Sequence, residues 1–484
     1  MRLSFCAFIV CLFFVSYFAD AKTMNVVSPY QFGYESSQTD IDRYYVLQET
    51  HRYAKEHNCG VSYKGIDTVR IDIPKSPKAI PLGEFTDFCG ATFVVSNKSE
   101  DIFLFEMRNY GKYINVKSSD IDNGTFSSYP ELENGECLLV IEDINPWVEK
   151  RTGYGYAHIR KDIIRIKKGR ALNSPIMPYN NEQSQPSCRY IEVSGGEKVF
   201  KNLTFKRTQE STCKTHLVRF WMQDNVVVSN VSVTTPQYTS LFGDALFTVN
   251  ECTNVVFKNI IVDGTYSQTD KYGYAFDLNT VWNYTSDNIV AKGNWGVYGS
   301  NNLNYASFCN STINRVDVHC YGRDIYCKGC RFVDRYNQFS GTYGTIMFDR
   351  CVFENVTPVL NGESYNAYTP VDIVFKNCQF YLTKTNRYIV QIWGASQKPN
   401  TREELREKNL PNVKIKGCRI AETENSDGCA LFYIRDFDEQ QPLGYIDYVT
   451  VKGLRYDNPK ARLKMFNVAP ILKNQVKISK KYIS

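Results

Sequence analysis

A short phrase that recurs along the chain constrains the fold more than any other feature. Its clearest copies are KGCRF, DRCVF, KNCQF and KGCRI, and looser copies begin near residues 200, 227, 255, 373, 413 and 449. Each copy joins a short β-branched strand, an Asn or Gly corner and a second short strand. Repeats of this kind stack and bury a core that no single copy buries alone. Because no long amphipathic helix separates the strands, the pattern predicts an all-β fold, a parallel β-helix.

The cysteines follow the same repeat. Of the 16 Cys in the chain, Cys6 and Cys11 fall in the N-terminal segment described below, so 16 minus 2 leaves 14 in the mature chain. Cys330, Cys351, Cys378 and Cys418 occupy one position of the phrase, and free Cys is a good small core residue. We therefore predict that these four fill the same interior position in successive coils rather than forming disulfides.

The N-terminus has the features of an export signal. Arg2 is followed by an apolar stretch at 5–18 and by the small residues of Ala19-Asp20-Ala21. This order predicts a secretory signal peptide at 1–21, and hence a protein secreted to the periplasm or cell surface of a bacterium. No later stretch is apolar enough to predict a membrane span.

The remainder, 22–484, is predicted to be one β-helix domain. Residues 40–57 have the one good helical pattern, which suits a cap on an open solenoid end. The stretch 145–190 is rich in aromatic and basic residues and is predicted to be a loop excursion. Core coils are expected at about 190–456, and a C-terminal cap at about 457–484.

The overall charge limits the class of partner. With 57 Lys and Arg against 51 Asp and Glu, the formal charge is +6. This balance is too mild to indicate a nucleic-acid partner, and it is compatible with an acidic substrate. A monomer is expected.

The segment INRVDVHCYGRD, residues 313–324, carries an unusual set of polar groups. Successive side chains of a strand point to opposite faces, so Val316, Val318 and Cys320 would enter the core. The other face would then carry, in order, Arg315, Asp317, His319, Tyr321 and Arg323. Of the 5 His in the chain, only His319 belongs to a charged cluster on a predicted strand.

At this point the chain resembles a family. The helix at 40–57, the first coil IPLGEFTDFCGATFVVSN and the VFKNCQF coils resemble right-handed parallel β-helix proteins of the pectate-lyase-like superfamily. The central stretches GYAFDLNTVWNYTSDN, NWGVYGSNN and NRVDVHCYGRD resemble exported bacterial polysaccharide-degrading β-helices and phage depolymerases. The resemblance implies a carbohydrate substrate without fixing the reaction, since this fold carries several chemistries. The calcium-binding aspartate clusters of pectate lyases are not evident, so no cofactor is predicted, and a need for a divalent cation such as calcium stays open.

Lytic cleavage of a uronate-containing, glycosaminoglycan-like chain requires three groups, and the polar row offers each of them. A cation, Arg315 or Arg323, would neutralise the substrate carboxylate. His319 would remove the C5 proton, because the pKa of imidazole lies near the working pH. Tyr321 would protonate the leaving oxygen, or His319 and Tyr321 would exchange these two roles. Asp317 would orient His319 or hold an arginine.

Further polar and aromatic side chains on neighbouring coils are predicted to bind substrate. Two of them, Asp277 and Asn279, alternate with Phe276 and Leu278 and should face the groove. The full predicted binding set is Asp277, Asn279, Asn294, Tyr298, Trp282, His158, Asp244 and Asn250.

Two other functions fit the sequence. A glycoside hydrolase needs two carboxyl groups at a defined separation, and Asp277 with Asp317, or Asp244 with Asp277, would supply them if they lie on neighbouring coils. A glycan-binding solenoid without catalysis is the third reading. The seven Asn-x-Ser/Thr sequences, at Asn97, Asn123, Asn202, Asn230, Asn283, Asn310 and Asn355, would allow a eukaryotic secreted protein. Several coincide with the repeated Asn corners, which would generate them without glycosylation.

Overall fold

The structure is a computed structural model. It describes residues 24–148, 158–176, 178–179, 184–234, 245–263, 273–291, 295–319, 321–361, 371–382, 387–393, 410–422, 428–435, 444–458, 462–467 and 476–483. The predicted signal peptide lies outside these residues.

One large sheet of parallel strands forms the body of the protein. Within the described residues it contains β1 Val26–Val27, β2 Gly60–Ser62, β3 Thr68–Asp72, β4 Ile80–Pro81, β5 Phe85–Asp87, β6 Thr92–Ser96, β7 Ile102–Arg108, β13 Lys198–Arg207, β14 Thr215–Trp221, β15 Asp224–Thr234, β16 Phe247–Asp263, β17 Tyr274–Ala291, β18 Gly296–Cys309, β19 Thr312–Ile313, β20 Val316–Val318, β21 Gly322–Lys328, β22 Arg331–Val333, β23 Asn337–Phe339, β24 Thr342–Asp349, β25 Val352–Glu354, β26 Val359–Asn361, β27 Asp372–Lys376, β28 Gln379–Leu382, β29 Tyr388–Trp393, β30 Asn412–Lys416, β31 Arg419–Glu422, β32 Gly428–Arg435, β33 Gly444–Lys452, β34 Arg455–Tyr456, β35 Arg462–Asn467 and β36 Val476–Ile483.

The strands wind into coils with three faces. One face is the stack β4, β7, β14, β16, β17, β18, β20, β23, β26, β29, β32 and β35, in which each strand pairs in parallel with the next. We call this stack the third face. The long strands β16 and β17 bend around the corners and contribute to all three faces. The predicted parallel β-helix is confirmed.

The core is built from side chains that repeat in register. Phe247, Phe276 and Tyr298 occupy one interior position of three successive coils, and their neighbouring rings stack with centroids 4.9 and 4.7 Å apart. Because parallel pairing places equivalent residues above one another, an apolar position becomes a continuous column. Burial of this column is the main contribution to stability.

The repeated cysteines lie in the same interior, as predicted. Cys330, Cys351, Cys378 and Cys418 are all at most 1% exposed, and each thiol lies close to a backbone carbonyl. Within the described part of the chain, none of these four forms a disulfide.

The corners are held by a ladder of asparagine side chains. Asn202, Asn230, Asn259 and Asn288 each have a φ between 54° and 63°, in the left-handed region that Asn tolerates. Each Nδ2 donates to the side-chain oxygen of the residue one coil earlier, and the series begins at Asp87. Two of the sequon asparagines therefore belong to the corner chemistry predicted from the repeat.

The predicted helix at 40–57 is present as α1, Asp40–Glu56. Its Thr39 cap accepts a bond from the Asp42 amide, and Tyr44, Leu47 and Ala54 are buried against the first coils. A single 3-10 turn, Pro29–Phe32, precedes it. The role of α1 as a cap stays a prediction.

The excursion is larger and more regular than predicted. Instead of a loop at 145–190, the described residues form an antiparallel sheet of β8 Lys112–Ile114, β9 Glu136–Val148, β10 His158–Lys167, β11 Arg170–Ala171 and β12 Pro186–Glu192, with α2 Ser118–Asn123 and α3 Pro130–Glu133. We call this unit the excursion sheet. Its strands alternate: Cys137, Leu139 and Ile141 enter a small core of their own, which explains why the segment folds regularly.

The last described strands continue the parallel pairing of the solenoid. Strands β35 and β36 pair in parallel with β32 and β33, so the chain continues the solenoid there where a separate closing cap was predicted. Two basic residues of this segment, Lys480 and Lys481, are exposed, and the cap at about 457–484 stays a prediction.

The corner ladder gives the first testable prediction. Asn259→Ala removes a donor to Asn230 and an acceptor for Asn288. It also places an alanine, whose side chain forms no hydrogen bond, at a position with positive φ. We expect a loss of about 1–3 kcal/mol, measured as a lower melting temperature by calorimetry. Asn259→Gly keeps the backbone relaxed and should cost less. Equal melting temperatures for the Ala variant and the wild type would show that the ladder does not stabilise the fold.

Candidate functional site

A row of polar side chains runs along the outside of the third face. Strand register aligns, one coil after another, Glu106, Arg219, Thr248, Asp277, Gly299, Asp317 and Gln338. The predicted groove residues Asp277 and Asp317 are therefore in the same row. They are not on neighbouring coils, as the hydrolase reading required, because the coil of Gly299 lies between them.

Gly299 makes room for a tyrosine that the sequence analysis missed. Tyr274 begins β17, and its ring crosses the next coil over Gly296 and Gly299. A Cβ added at either glycine would overlap the Tyr274 ring. The Gly-x-x-Gly spacing in NWGVYGSNN is the sequence signal for this close approach.

The Tyr274 hydroxyl joins three coils in one hydrogen-bond network. It donates to Asp317 Oδ2 at 2.5 Å and accepts from Trp295 Nε1 at 2.8 Å. His319 Nε2 lies 2.9 Å from the same hydroxyl and 3.2 Å from Asp317 Oδ2. Burial, followed by the charge of Asp317, raises the pKa of Tyr274 well above its ordinary value. The phenol is therefore neutral at neutral pH.

Asp317 is fully buried and ionised. Its carboxylate is 0% exposed, and Arg315 Nη2 lies 2.5 Å from Oδ2. Burial alone would raise the pKa of Asp317, but Arg315 and His319, with the bond from Tyr274, hold this pKa below its ordinary value. Asp317 thus contacts both the His319 imidazole and the Arg315 guanidinium, and its role in orienting His319 stays a prediction.

Arg315 does not face the groove as predicted. Its guanidinium is 1% exposed, lies between the Trp295 and Tyr336 rings at 4.5 and 4.9 Å, and donates to Gln338 Oε1 at 2.6 Å. An arginine enclosed in this way is not accessible to a substrate carboxylate in this structure. The guanidinium instead pairs with the buried carboxylate of Asp317.

The predicted single strand over 313–324 is interrupted. Strand β20 ends at Val318 and β21 begins at Gly322, and between them Tyr321 has a φ of 62° and is 3% exposed. Since a left-handed residue turns the chain around a corner of the solenoid, the alternation does not extend past it. Arg323 consequently lies on another face, where it donates to Pro175 O at 3.2 Å. Tyr321 and Arg323 are therefore separated from His319.

The interior residues Val316 and Val318 are fully buried, as predicted, whereas Cys320 lies outside the described residues. Tyr298 is a further correction: its side chain is 0% exposed and stacks in the core on Phe276. It has the parity of Val316, with which it pairs, and so it cannot line the groove.

Asp277 and Asn279, which were predicted to face the groove, do face outward, and so does Asn250. Asn279 donates to Asn250 at 3.2 Å, and Asn301, one coil later, donates to Asn279 at 3.0 Å. Asp277 is partly exposed, and burial raises its pKa above the ordinary value, against the opposing effects of Asn279 and His319. A carboxyl in this state retains its proton to higher pH and can act as an acid.

The remaining predicted binding residues are scattered. Trp282 lies beneath the excursion sheet, packed near Met222. His158 begins β10, and its side chain is not among the described ones. Asp244 and Asn294 lie outside the described residues, so their predicted roles stay predictions.

The geometry defines a compact candidate site, which consists of Tyr274, Asp277, Trp295, Asp317 and His319. The His319 side chain is 19% exposed and the Asp277 side chain is also accessible. An imidazole fixed by a buried carboxylate can accept a proton, and the Asp277 carboxyl, whose pKa is raised and which lies two coils earlier in the same outer row, can donate one. Among the described residues, no group of three or more His, Cys, Asp or Glu is arranged to hold a metal ion.

Comparison with known proteins gives structural relatives only. No family model matches the chain, and no curated protein matches it. The tailspike protein gp49 from Pseudomonas phage LKA1 is similar in structure, with a TM-score of 0.52 and 13% identity, over 92% of this chain and 81% of that one. The tailspike gp61 of Pseudomonas phage phi297 has a TM-score of 0.54 and 11% identity, over 90% and 81% of the two chains.

A third relative was solved with a ligand. The gp54 tailspike of Acinetobacter baumannii bacteriophage AP22, in complex with A. baumannii capsular saccharide, has a TM-score of 0.52 and 11% identity, over 94% of this chain and 79% of that one. These similarities confirm the right-handed parallel β-helix. No helix in the described part of the chain is both long and apolar enough to cross a bilayer.

Because Asp317 is ionised and paired with Arg315 in the interior, removing its charge should destabilise the protein by an amount that depends on pH. A carboxyl with a lowered folded pKa contributes stability above its unfolded pKa of about 3.9, and this is lost as pH falls through the folded value. Asp317→Asn leaves Arg315 buried without its partner charge, so we expect about 3–5 kcal/mol of destabilisation at pH 7. The difference in melting temperature between Asp317→Asn and the wild type, measured by thermal unfolding, should be smaller below about pH 4 than at pH 7. A difference that is independent of pH would contradict the assigned ionisation.

Asp277 should behave in the opposite way. A carboxyl with a raised folded pKa contributes stability below its unfolded pKa, and this is lost as pH rises through the folded value. Asp277→Asn does not ionise, so its melting temperature should rise relative to the wild type between pH 4 and pH 8. A constant difference across this range would show that the Asp277 carboxyl is not held neutral.

Proposed function

We propose that this protein is a secreted enzyme that degrades an acidic, uronate-containing polysaccharide by β-elimination at the site of His319 and Asp277. The observation that carries the proposal is the network in which Asp317 Oδ2 and the Tyr274 hydroxyl both contact His319 Nε2. This arrangement fixes an imidazole, partly exposed, on the outer row of the solenoid. The saccharide bound to the AP22 tailspike supports carbohydrate as the class of ligand for the fold.

His319 is the proposed base. An Nε2–H that donates to Asp317 leaves the lone pair on Nδ1, the ring nitrogen that would take the C5 proton of a uronate. The Asp317 charge stabilises the imidazolium that forms. Tyr274 is a positioning residue, because its hydroxyl holds both partners in place and its raised pKa keeps the phenol protonated, so that it does not accept a proton.

Asp277 is the proposed acid. As His319 takes the proton, the electron pair of the C5–H bond forms a C4–C5 double bond and the C4–O4 bond breaks. The departing oxygen takes the proton of the Asp277 carboxyl, whose raised pKa favours the protonated form. This replaces the acid role that the sequence assigned to Tyr321.

Arg335 is the proposed partner of the substrate carboxylate. Its guanidinium lies over the Trp295 ring at 5.7 Å, and the side chain is partly exposed. Trp295 in turn donates to Tyr274, so Arg335 borders the candidate site. It takes the role predicted for Arg315 or Arg323, which the structure encloses or places elsewhere.

Hydrolysis is the second candidate, and one observation favours it. Asp277 and Asp317 have pKa values displaced in opposite directions, as an acid and a base would. Two strand spacings of about 4.8 Å separate their backbones. However, Asp317 is fully buried, so it could not itself activate a water molecule, and the base would again be His319.

The experiment that tests the proposal separates these reactions. Purified protein is incubated with a panel of acidic and neutral polysaccharides while absorbance near 232 nm and new reducing ends are followed. Elimination produces both signals on an acidic polymer. We expect His319→Ala to reduce kcat by roughly 10²- to 10⁴-fold, whereas His57→Ala, on the exposed end of α1, should have no effect.

The other outcomes are equally informative. New reducing ends without absorbance would replace elimination by hydrolysis. Binding of a polymer without either signal would support the glycan-binding solenoid without catalysis. Full activity of His319→Ala on any substrate would remove the imidazole from the mechanism.

A variant of Arg335 tests the site of carboxylate binding. Arg335→Gln removes the charge but keeps much of the side chain, so we expect KM for an acidic polymer to rise about tenfold. Arg350→Gln, in which an exposed arginine distant in register is changed, is the control. An unchanged KM in Arg335→Gln would mean that another cation binds the carboxylate.

A further inference from the structure

A second concave surface lies between the excursion sheet and the solenoid. This cleft has a volume of about 540 Å³, enough for one or two sugar residues. The excursion contributes two segments to it, 121–125 and 170–174, and the solenoid contributes Trp282 and Tyr305. We call it the excursion cleft. It shares no residue with the candidate site.

The solenoid side of the cleft is aromatic. Trp282 and Tyr305 lie on adjacent strands, with ring centroids 6.4 Å apart and planes 76° apart. Both side chains are partly exposed. Trp282 Nε1 is buried and has no hydrogen-bond partner within the described part of the chain. Aromatic rings present flat apolar faces, which match the C–H faces of sugar rings, together with a polar handle.

The excursion side supplies a cation. Arg170 is exposed, and among the described residues it has neither an ion pair nor a side-chain hydrogen bond. Arg165, by contrast, contacts Glu136 and Asp224, and Arg323 is held by Pro175 O. Next to Arg170, Leu172 is 49% exposed. An available guanidinium beside an apolar surface suits a carboxylate on a ring.

We propose that the excursion cleft is a binding subsite for an acidic sugar residue, with Trp282 and Tyr305 contacting the ring and Arg170 pairing with its carboxylate. The substrate class rests on the proposed function, but the cleft binds whether or not the bond is cleaved by elimination. Its role is to retain the polysaccharide while a distant unit occupies the candidate site.

The distance between the two sites fits a short oligosaccharide. Trp282 follows Asp277 by five residues on β17, which corresponds to at most about 17 Å along an extended strand. The chain turns at Thr280, where φ is 56°. A glycan that reaches from one site to the other would therefore pass around this corner, and binding should increase with chain length up to that reach.

Binding is measured in the His319→Ala background, so that turnover does not interfere. The probes are hexasaccharides from polygalacturonate and from hyaluronan, and the same hexasaccharides with their carboxyl groups reduced. Calorimetric titration should show that Arg170→Gln weakens binding of an acidic hexasaccharide about tenfold. It should leave binding of the reduced form unchanged. Lys112→Gln, an exposed charge on the excursion sheet outside the cleft, is the matched control.

A second variant tests the aromatic surface without straining the backbone. Tyr305 has a φ of 55°, and Asn tolerates that conformation, so Tyr305→Asn should fold. We expect it to weaken binding of both acidic and reduced probes. Wild-type affinity in both variants, or no binding of any acidic probe, overturns the subsite. If the wild-type protein has no lytic activity and binding still depends on Arg170, the subsite is supported and only the proposed elimination is rejected.

Discussion

The buried charge of Asp317 is the interaction on which the candidate site depends. This carboxylate accepts a bond from Tyr274, contacts His319 and is paired with Arg315, so one residue fixes groups that come from its own coil and from the coil of Tyr274. A charge in the interior is tolerated only when it is paired and hydrogen-bonded. The surrounding Trp295 and Tyr336 rings exclude water from the pair. The His319 imidazole is therefore positioned by a fully buried carboxylate and its arginine partner.

Much of the fold was predictable from the sequence because the repeat is a direct record of the coil. The interior cysteines, the corner asparagines and the helix at 40–56 each follow from a local pattern with a physical cause. The excursion was predicted in position but not in form. Its core depends on Cys137, Leu139 and Ile141, which precede the predicted bounds of 145–190, so their alternation was not connected with the excursion.

The candidate site was predictable only in part. Outward parity placed Asp277 and Asn279 on the outer row, where the structure has them, and the scarcity of histidine drew attention to His319. Parity failed beyond Val318 because the left-handed Tyr321 turns the chain. It also misplaced Tyr298, and Tyr274 was missed because its contact crosses a whole coil over Gly299. Contacts between distant coils leave no periodic signal in one strand.

The corner asparagines have a consequence for how the protein can be produced. Asn202, Asn230, Asn283 and Asn310 lie in sequons, and the Nδ2 atom of each donates to a side chain of an earlier coil. That nitrogen is the atom to which an oligosaccharyltransferase attaches its glycan. In a eukaryotic secretory pathway, modification of the nascent chain would compete with folding, since a substituted amide could no longer complete the ladder. A bacterial host avoids this competition, so the choice of expression system decides whether the coils can close.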